Sequence, residues 1–205
     1  RSGKFIIEDI MNLYHTFISG QVGGGKSTIL NTMIQSAMYL CNNVSFILVD
    51  FKLVGFGIYY KFNNCYCVED YNDFKNTLVW LKDEMMRRYR EFRDLGIEDI
   101  WQYHDLGKKM NYILLVIDEM SNIKLSGNAK KKDDDINIED TLINILNMSR
   151  GAGIIIIAAT QNPYAVEIKS NARNKFVTNI SARIAKKRVQ EMTGVMGTEN
   201  LQKGE

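Results

Sequence analysis

The sequence predicts an α/β domain built on a mostly parallel β-sheet that is flanked by helices. Short apolar runs alternate with helical patterns along the chain, and two of these runs, Tyr112–Ile117 and Ile154–Ala159, are almost purely aliphatic. Strands that are buried on both faces of a parallel sheet carry such runs. The 205 residues fit one large domain, which we expect to span residues 1–205.

Five apolar runs are predicted strands, and four segments have helical periodicity. The strands are Thr16–Ser19, Val44–Val49, Tyr112–Ile117, Ile154–Ala159 and Phe176–Ile180. The helices are Lys26–Leu40, an amphipathic segment with its apolar stripe from Phe74 to Phe92, a segment from about Ile138 to Met148, and one from near Lys186 to Gly194. The charge-blocked stretch Ser126–Asn137 is predicted to be a surface loop, and a DNA-facing loop is the alternative.

Composition excludes several classes of protein. Apolar residues make up 45% of the chain and charged residues 24%, which excludes a disordered chain. The longest apolar runs fall far short of the ~20 residues of a spanning helix. A net charge of +2 is too small to indicate nucleic-acid binding by itself.

Three cysteines in no disulfide or zinc pattern, together with the lack of a secretory signal, lead us to expect a cytoplasmic location. The start at Arg1 without a methionine leads us to expect a piece of a larger protein, with any membrane segments elsewhere in the parent chain.

A phosphate-binding loop is predicted directly after the first strand. The segment Gly20–Ser27 fits the pattern G-x-x-x-x-G-K-[ST], follows an apolar strand and opens a helix. Backbone N–H groups of such a loop surround phosphates, and the helix N-terminus adds partial positive charge. We expect ATP to contact Gly20, Gln21, Val22, Gly23, Gly24, Gly25, Lys26, Ser27 and Thr28. Lys26 reaches the β- and γ-phosphates in this interpretation, and the Ser27 hydroxyl binds Mg²⁺. A glycine-rich turn with an unrelated lysine is the alternative.

Two acids follow the apolar strand Tyr112–Ile117. A strand end of an open α/β sheet lies where ligands bind, so we expect Asp118 to hold Mg²⁺ and Glu119 to deprotonate the attacking water. The alternative is a pair of solvated acids, for example at a helix N-cap. The strand Ile154–Ala159 is followed by Thr160 and Gln161, and Gln161 is a candidate sensor of the γ-phosphate, with a loop-capping role as the alternative.

The motifs together resemble the motor domain of the FtsK/SpoIIIE DNA translocases and the related TcpA-type conjugation coupling proteins. The more specific segments are Met86–Tyr89 and the run from Arg150 through Thr160 and Gln161 to Pro163. Asp50 and Lys52 match an Asp-Pro-Lys segment of that family with Phe51 in place of proline, and Asn162 replaces the usual arginine before Pro163.

The resemblance implies a RecA-like ATPase that assembles into a ring, usually a hexamer, and pumps double-stranded DNA through its channel. Lys26, Ser27, Asp118 and Glu119 match the catalytic motifs of the family, and Gln161 matches its sensor position. The resemblance also implies a basic residue that reaches the ATP of a neighbouring subunit. Arg173 is our choice, because an arginine fork suits a transferring phosphate. The alternatives are Lys175, Arg183, Lys187 and Arg188.

Two other functions remain open from the sequence. A protein-secretion motor of the type VII kind contains similar domains, and its hydrolysis would respond to a secreted protein rather than to DNA. A nucleotide-binding assembly module without hydrolysis is the other alternative, against which the intact Lys26, Asp118 and Glu119 argue. We expect the partners to be double-stranded DNA, further copies of the chain, and a membrane-anchored parent or conjugation machinery.

Overall fold

The computed structural model describes residues 14–123, 137–161, 175–184 and 195–201. Within these ranges the strands are β1 (Thr16–Ser19), β2 (Val44–Val49), β3 (Cys65–Val68), β4 (Tyr112–Ile117), β5 (Ile154–Thr160) and β6 (Thr178–Ser181). The α-helices are α1 (Lys26–Leu40), α2 (Tyr71–Leu95), α3 (Ile100–Asp105) and α4 (Ile138–Met148). Short 3₁₀ turns lie at Gly57–Tyr59, Met120–Asn122 and Thr198–Asn200.

The six described strands form one sheet in the order β3-β2-β4-β5-β1-β6, and every neighbouring pair is parallel. Ser19 of β1 pairs with Thr160 of β5, and Ile117 of β4 pairs with Ala158. The carboxyl ends of β1, β4 and β5 therefore meet at one edge of the sheet. This arrangement confirms the predicted α/β fold with its parallel sheet.

The two central strands are buried on both faces. Every residue of β4 and β5 is buried. In β4, Ile113, Leu115 and Ile117 pack toward α2 and α4, whereas Leu114 and Val116 pack toward α1. The period of two between the faces explains why both strands are continuous apolar runs. No helix in the described part of the chain is long and apolar enough to cross a membrane.

Three helix boundaries have clear local causes. The Asp70 carboxylate accepts hydrogen bonds from the backbone N–H groups of Asn72 and Asp73 at 2.8 and 2.9 Å, which caps α2 at its N-terminus. Gly96, with φ of 70°, ends α2 in the left-handed conformation that glycine adopts readily. The side chain of Asn137 caps α4 through the N–H of Asp140.

The structure differs from the predicted elements at β3, at α3, at the end of β5, which includes Thr160, and at the last strand. The strand β3 was not predicted because its four residues, Cys65–Val68, contain no aliphatic run, and the helix α3 was not predicted because six residues are too few to show a helical period. The last strand begins at Thr178 rather than at the predicted Phe176, whose ring packs on Phe17 with centroids 5.5 Å apart. The predicted helix near Lys186–Gly194 and nearly all of the predicted loop Ser126–Asn137 lie outside the described residues.

Helix α2 is fastened to the turn that precedes β5. The guanidinium of Arg88, which is 3% exposed, donates to Glu84 Oε1 at 2.7 Å and to the Ala152 carbonyl at 2.8 Å. Burial lowers the pKa of Arg88, and the ion pair with Glu84 opposes this. The Tyr89 hydroxyl donates to the Met148 carbonyl just before the same turn. Arg88 and Tyr89 of the Met86–Tyr89 motif therefore have a structural role at the amino end of the sheet.

His15 ties β1 to β5 at the same end. Its Nδ1 accepts a hydrogen bond from the backbone N–H of Ile156 at 3.0 Å, so this nitrogen has no proton. Burial, followed by the nearby charge of Arg150, lowers the pKa of His15 from 6.5 to about 4. The folded protein therefore holds His15 neutral under conditions that protonate the unfolded chain.

Removal of the buried Arg88 should destabilise the fold far more than removal of its exposed neighbour. Arg88→Leu leaves the Ala152 carbonyl without its buried donor and removes the buried one of the two arginines that pair with Glu84, and we expect a loss of about 3 kcal/mol. The matched control is Arg87→Leu, because the Arg87 side chain is 50% exposed and its pairs with Glu84 and Glu91 should be worth below about 1 kcal/mol. Urea unfolding of both variants measures the difference, and equal losses would contradict the anchoring role.

The free energy of unfolding should decrease as the pH is lowered from 7 to 4, because His15 is held neutral in the folded state. The unfolded chain binds a proton near pH 6.5 and the folded chain only near pH 4, so stability is lost as the pH falls through this window. The loss attributable to His15 approaches about 3 kcal/mol at pH 4. Urea unfolding between pH 7 and 4 should show a steeper decline for the wild type than for His15→Asn, which has no proton to gain. Parallel declines would contradict this assignment.

Candidate active site

The predicted site residues come together at the carboxyl edge of the sheet. The loop between β1 and α1 carries the glycines and Lys26, β4 is followed by Asp118 and Glu119, and β5 ends at Thr160 and Gln161. Arg173 lies outside the described residues, so its role stays a prediction from the sequence.

The glycine loop needs glycine at several positions for different reasons. Gly23 and Gly25 have φ values of 72° and 106°, which side-chain-bearing residues adopt only at a cost. A Cβ atom on Gly24 would lie 2.9 Å from the Arg183 carbonyl oxygen, and one on Gly20 would lie 2.9 Å from the Ala182 Cβ. The loop is therefore closely seated on the end of β6, where the Gln21 N–H also donates to the Arg183 carbonyl.

A cleft of about 300 Å³ opens in front of this loop. It is lined by Gln21, Val22, Gly23, Gly25, Lys26, Ser27, Thr28 and Gln161. Of the residues predicted to contact ATP, Gly20 and Gly24 are not among the lining residues and pack against β6 instead. The helix α1 begins at Lys26 without a side-chain cap, so its first N–H groups have no side-chain acceptor there. Such an N-terminus is suited to an anion.

Lys26 lies between the loop and the two acids. Its side chain is 4% exposed, and its Nζ donates to the Asp118 carbonyl at 2.5 Å and lies 3.3 Å from Asp118 Oδ1. Glu119 Oε2 is 4.0 Å from the same nitrogen. A buried ammonium is stable only with such partners. Among the described residues that line the cleft, Lys26 is the one cation.

Glu119 has a second role that the sequence left open. Its Oε1 accepts from the Ser121 hydroxyl at 2.6 Å and from the Ser121 N–H at 3.3 Å, so it caps the 3₁₀ turn Met120–Asn122. The same carboxylate accepts from the Thr160 hydroxyl and the Gln161 N–H. The predicted alternative of a capping acid is therefore present in the geometry, together with the contact to Lys26.

Asp50 holds together the turn after β2, which lies beside Asp118. It is 4% exposed and accepts from the N–H groups of Lys52 at 2.9 Å and Gly55 at 2.5 Å. A Cβ atom on Gly55 would lie 3.2 Å from Asp50 Oδ2 and 3.7 Å from Asp118 Oδ2. The family segment that begins at Asp50 thus folds a tight turn against the predicted metal-binding carboxylate.

Two hydroxyl groups at the site were not predicted. Ser121 and Thr160 both donate to Glu119, and Thr160 does so from a position 41 residues away. The one signal in the sequence was the position of Thr160 at the end of an apolar strand. This pattern does not show which acid the end of the strand faces.

The residues present fit Mg²⁺. Ser27 is exposed and lines the cleft, and the Asp118 side chain is 13% exposed. One hydroxyl and one carboxylate form the kind of sparse oxygen set that Mg²⁺ uses together with waters and phosphates. Within the described ranges, no group of three or more His, Cys, Asp or Glu residues forms an all-protein metal site.

Comparison with known proteins gives a consistent result. The sequence model of the FtsK/SpoIIIE family matches residues 1–111. The DNA translocase FtsK of Caldanaerobacter subterraneus subsp. tengcongensis is 31% identical over 204 residues, which are 94% of this chain and 28% of that protein. The DNA translocase SftA of Bacillus subtilis is 26% identical over 208 residues, covering 94% of this chain and 21% of that protein. The chain thus spans about a quarter of the length of these relatives.

Solved structures share the fold. The pCW3 conjugation coupling protein TcpA, determined as a monomer with ATPγS, superposes with a TM-score of 0.80 at 25% identity over 97% of this chain and 56% of that one. The cytoplasmic domain of the type VII secretion ATPase EccC of Thermomonospora curvata gives a TM-score of 0.74 at 19% identity, over 93% of this chain and 23% of that one, and shows the fold alone. With the match of more than half of its residues to the family model, the chain belongs to the FtsK/SpoIIIE family.

Proposed function

We propose that this chain is an ATP-hydrolysing motor domain that moves double-stranded DNA. The observation that carries the proposal is the buried Lys26, which lies in a glycine loop and contacts both Asp118 and Glu119. Membership of the family supports DNA as the cargo, because the similar FtsK and SftA proteins are named DNA translocases. The ATP analogue in the TcpA structure supports ATP as the nucleotide.

The loop and the start of α1 bind the phosphates of ATP in this proposal. Backbone N–H groups around Gly23 and Gly25 and the open N-terminus of α1 favour negative charge. The Lys26 ammonium has three donors, so it serves phosphate oxygens as well as Asp118. Ser27 and Asp118 hold Mg²⁺, which when bound neutralises charge on the β- and γ-phosphates.

Glu119 and Gln161 act on the terminal phosphate. Glu119 accepts the proton of the water that attacks the γ-phosphorus, while the bond to the ADP oxygen breaks. The distance of 4.0 Å between Glu119 Oε2 and the ammonium of Lys26, which lines the cleft, supports this role. Gln161 lines the cleft and reports whether the γ-phosphate is present.

We further propose that the chain works in a ring of copies, as a hexamer. Besides a lysine and a metal ion, many enzymes of this kind use an arginine at the transferring phosphate, and Lys26 is the one cationic side chain among the described cleft residues. A neighbouring subunit then contributes an arginine, for which Arg173 remains our choice. A ring also gives DNA a continuous basic path, which a single domain with a net charge of +2 does not offer.

Duplex DNA should stimulate ATP hydrolysis by this chain severalfold. The measurement is steady-state phosphate release at high protein concentration and low salt, with and without duplex DNA. Stimulation should fall steeply with added salt because DNA binding releases counterions. Lys26→Ala is the control and should remove hydrolysis and nucleotide binding together. Hydrolysis that is indifferent to DNA would refute the DNA cargo and direct the next test to secreted proteins. Undiminished ATP binding by Lys26→Ala would refute the phosphate site.

Glu119→Gln should slow hydrolysis by about 10²- to 10⁴-fold and leave ATP binding intact, because the amide accepts no proton from water. The amide oxygen still caps the turn, so the melting temperature should change little. Single-turnover hydrolysis and nucleotide titration measure the two effects. Glu91→Gln is the control, since Glu91 is also hydrogen-bonded but lies near the amino end of the sheet. Wild-type turnover in Glu119→Gln would exclude Glu119 as the base.

A further inference from the structure

The last residue of β5 contacts the catalytic carboxylate without lining the cleft. Thr160 is fully buried, and its Oγ1 donates to Glu119 Oε1 at 2.8 Å. The cleft is lined by the next residue, Gln161. Thr160 therefore reaches the site through Glu119.

The two oxygens of Glu119 have different surroundings. Oε1 accepts from the hydroxyls of Thr160 and Ser121 and is directed toward the ends of β5 and of its own turn. Oε2 lies 4.0 Å from the Lys26 ammonium and accepts from the Gln161 N–H at 3.0 Å. Oε1 is thus held by two hydroxyl groups, whereas Oε2 is held by a backbone N–H group and lies on the side of the lysine that we propose binds phosphate.

We propose that Thr160 is a positioning residue for the general base. Its hydroxyl fixes Oε1, so that Oε2 is the oxygen that takes the proton from water. This inference rests on the proposed function, in which Glu119 is that base. Ser121 belongs to the turn that Glu119 itself caps and moves with it, whereas Thr160 ties the carboxylate to a separate strand of the rigid sheet.

The same strand end couples the base to the sensor. The Gln161 N–H donates to both oxygens of Glu119, at 3.2 and 3.0 Å, while the Gln161 side chain lines the cleft. A shift of this peptide unit on contact with a phosphate therefore moves the Glu119 carboxylate as well. Thr160 holds one end of that linkage in place.

The test replaces the hydroxyl and keeps the shape. Thr160→Val should lower kcat for ATP by about 10- to 100-fold, because a misplaced catalytic group loses about this much. The KM for ATP should stay within about twofold, since Thr160 does not line the cleft. Thr160→Ser should restore most of the rate. The matched control is Thr16→Val, because Thr16 is an equally buried threonine at the start of β1 whose hydroxyl bonds to the Tyr14 carbonyl.

A double variant separates positioning from a general loss of structure. If Thr160 acts through Glu119, Thr160→Val should lower the residual rate of Glu119→Gln no further. Thr160→Ala repeats the measurement without the valine methyl groups, should the valine variant fold poorly. Full activity of Thr160→Val and of Thr160→Ala would overturn the inference. So would a double variant in which the losses of Thr160→Val and Glu119→Gln multiply.

The outcomes distinguish this inference from the proposed function. A wild-type chain without ATP hydrolysis, or an active Glu119→Gln variant, overturns the proposed function and this inference with it. An inactive Glu119→Gln beside a fully active Thr160→Val overturns the positioning role alone. Both are supported if Thr160→Val lowers kcat at an unchanged KM, Thr160→Ser restores the rate, and Thr160→Val causes no further loss when it is added to Glu119→Gln.

Discussion

The site depends on one buried cation that has to reach across the sheet. Lys26 follows β1, and its acidic partner Asp118 follows β4, yet β5 lies between these two strands. The lysine therefore extends over the end of β5 to make its ion pair. Since an unpaired ammonium at this depth is strongly disfavoured, the ends of all three strands must stay in register. The parallel pairing of Ser19 with Thr160 and of Ile117 with Ala158 provides that register.

At the amino ends of the strands, residues anchor the helices to the sheet, and the segments that are most specific to the family contribute to this anchoring. Arg88 bonds to the Ala152 carbonyl and Tyr89 to the Met148 carbonyl, which fixes α2 against the turn before β5. Gly153 has a φ of 75° in this turn, and a Cβ atom there would lie 2.3 Å from the Ile100 side chain. The guanidinium of Arg150 packs over the Tyr14 ring at 3.9 Å. Motifs that identify the family thus include residues that hold β5 in place from its amino end.

The sequence predicted those parts of the fold and site whose cause is local. The strands β4 and β5 were evident because burial on both faces requires an unbroken apolar run, and the glycine loop was evident because its backbone tolerates few residue types. The strand β3 is half exposed at the sheet edge and carries no aliphatic run, and α3 has only six residues. The partners of Glu119 were not predictable, because the contact with Thr160 exists only after β4 and β5 have paired.

The geometry of Glu119 combines an observed capping role with the role of general base that we propose for it. A cap uses a lone pair to satisfy a backbone N–H, and a general base needs a lone pair for the proton of water. The two roles are compatible where the oxygen that takes the proton keeps a lone pair for it. The Ser121 and Thr160 donors lie on Oε1, whereas Oε2 accepts only from the Gln161 N–H among the donors of the described residues and is the oxygen nearer Lys26. The hydrogen bonds on Oε1 therefore leave Oε2 on the side of Lys26, which agrees with the proposed role of Glu119 as the general base.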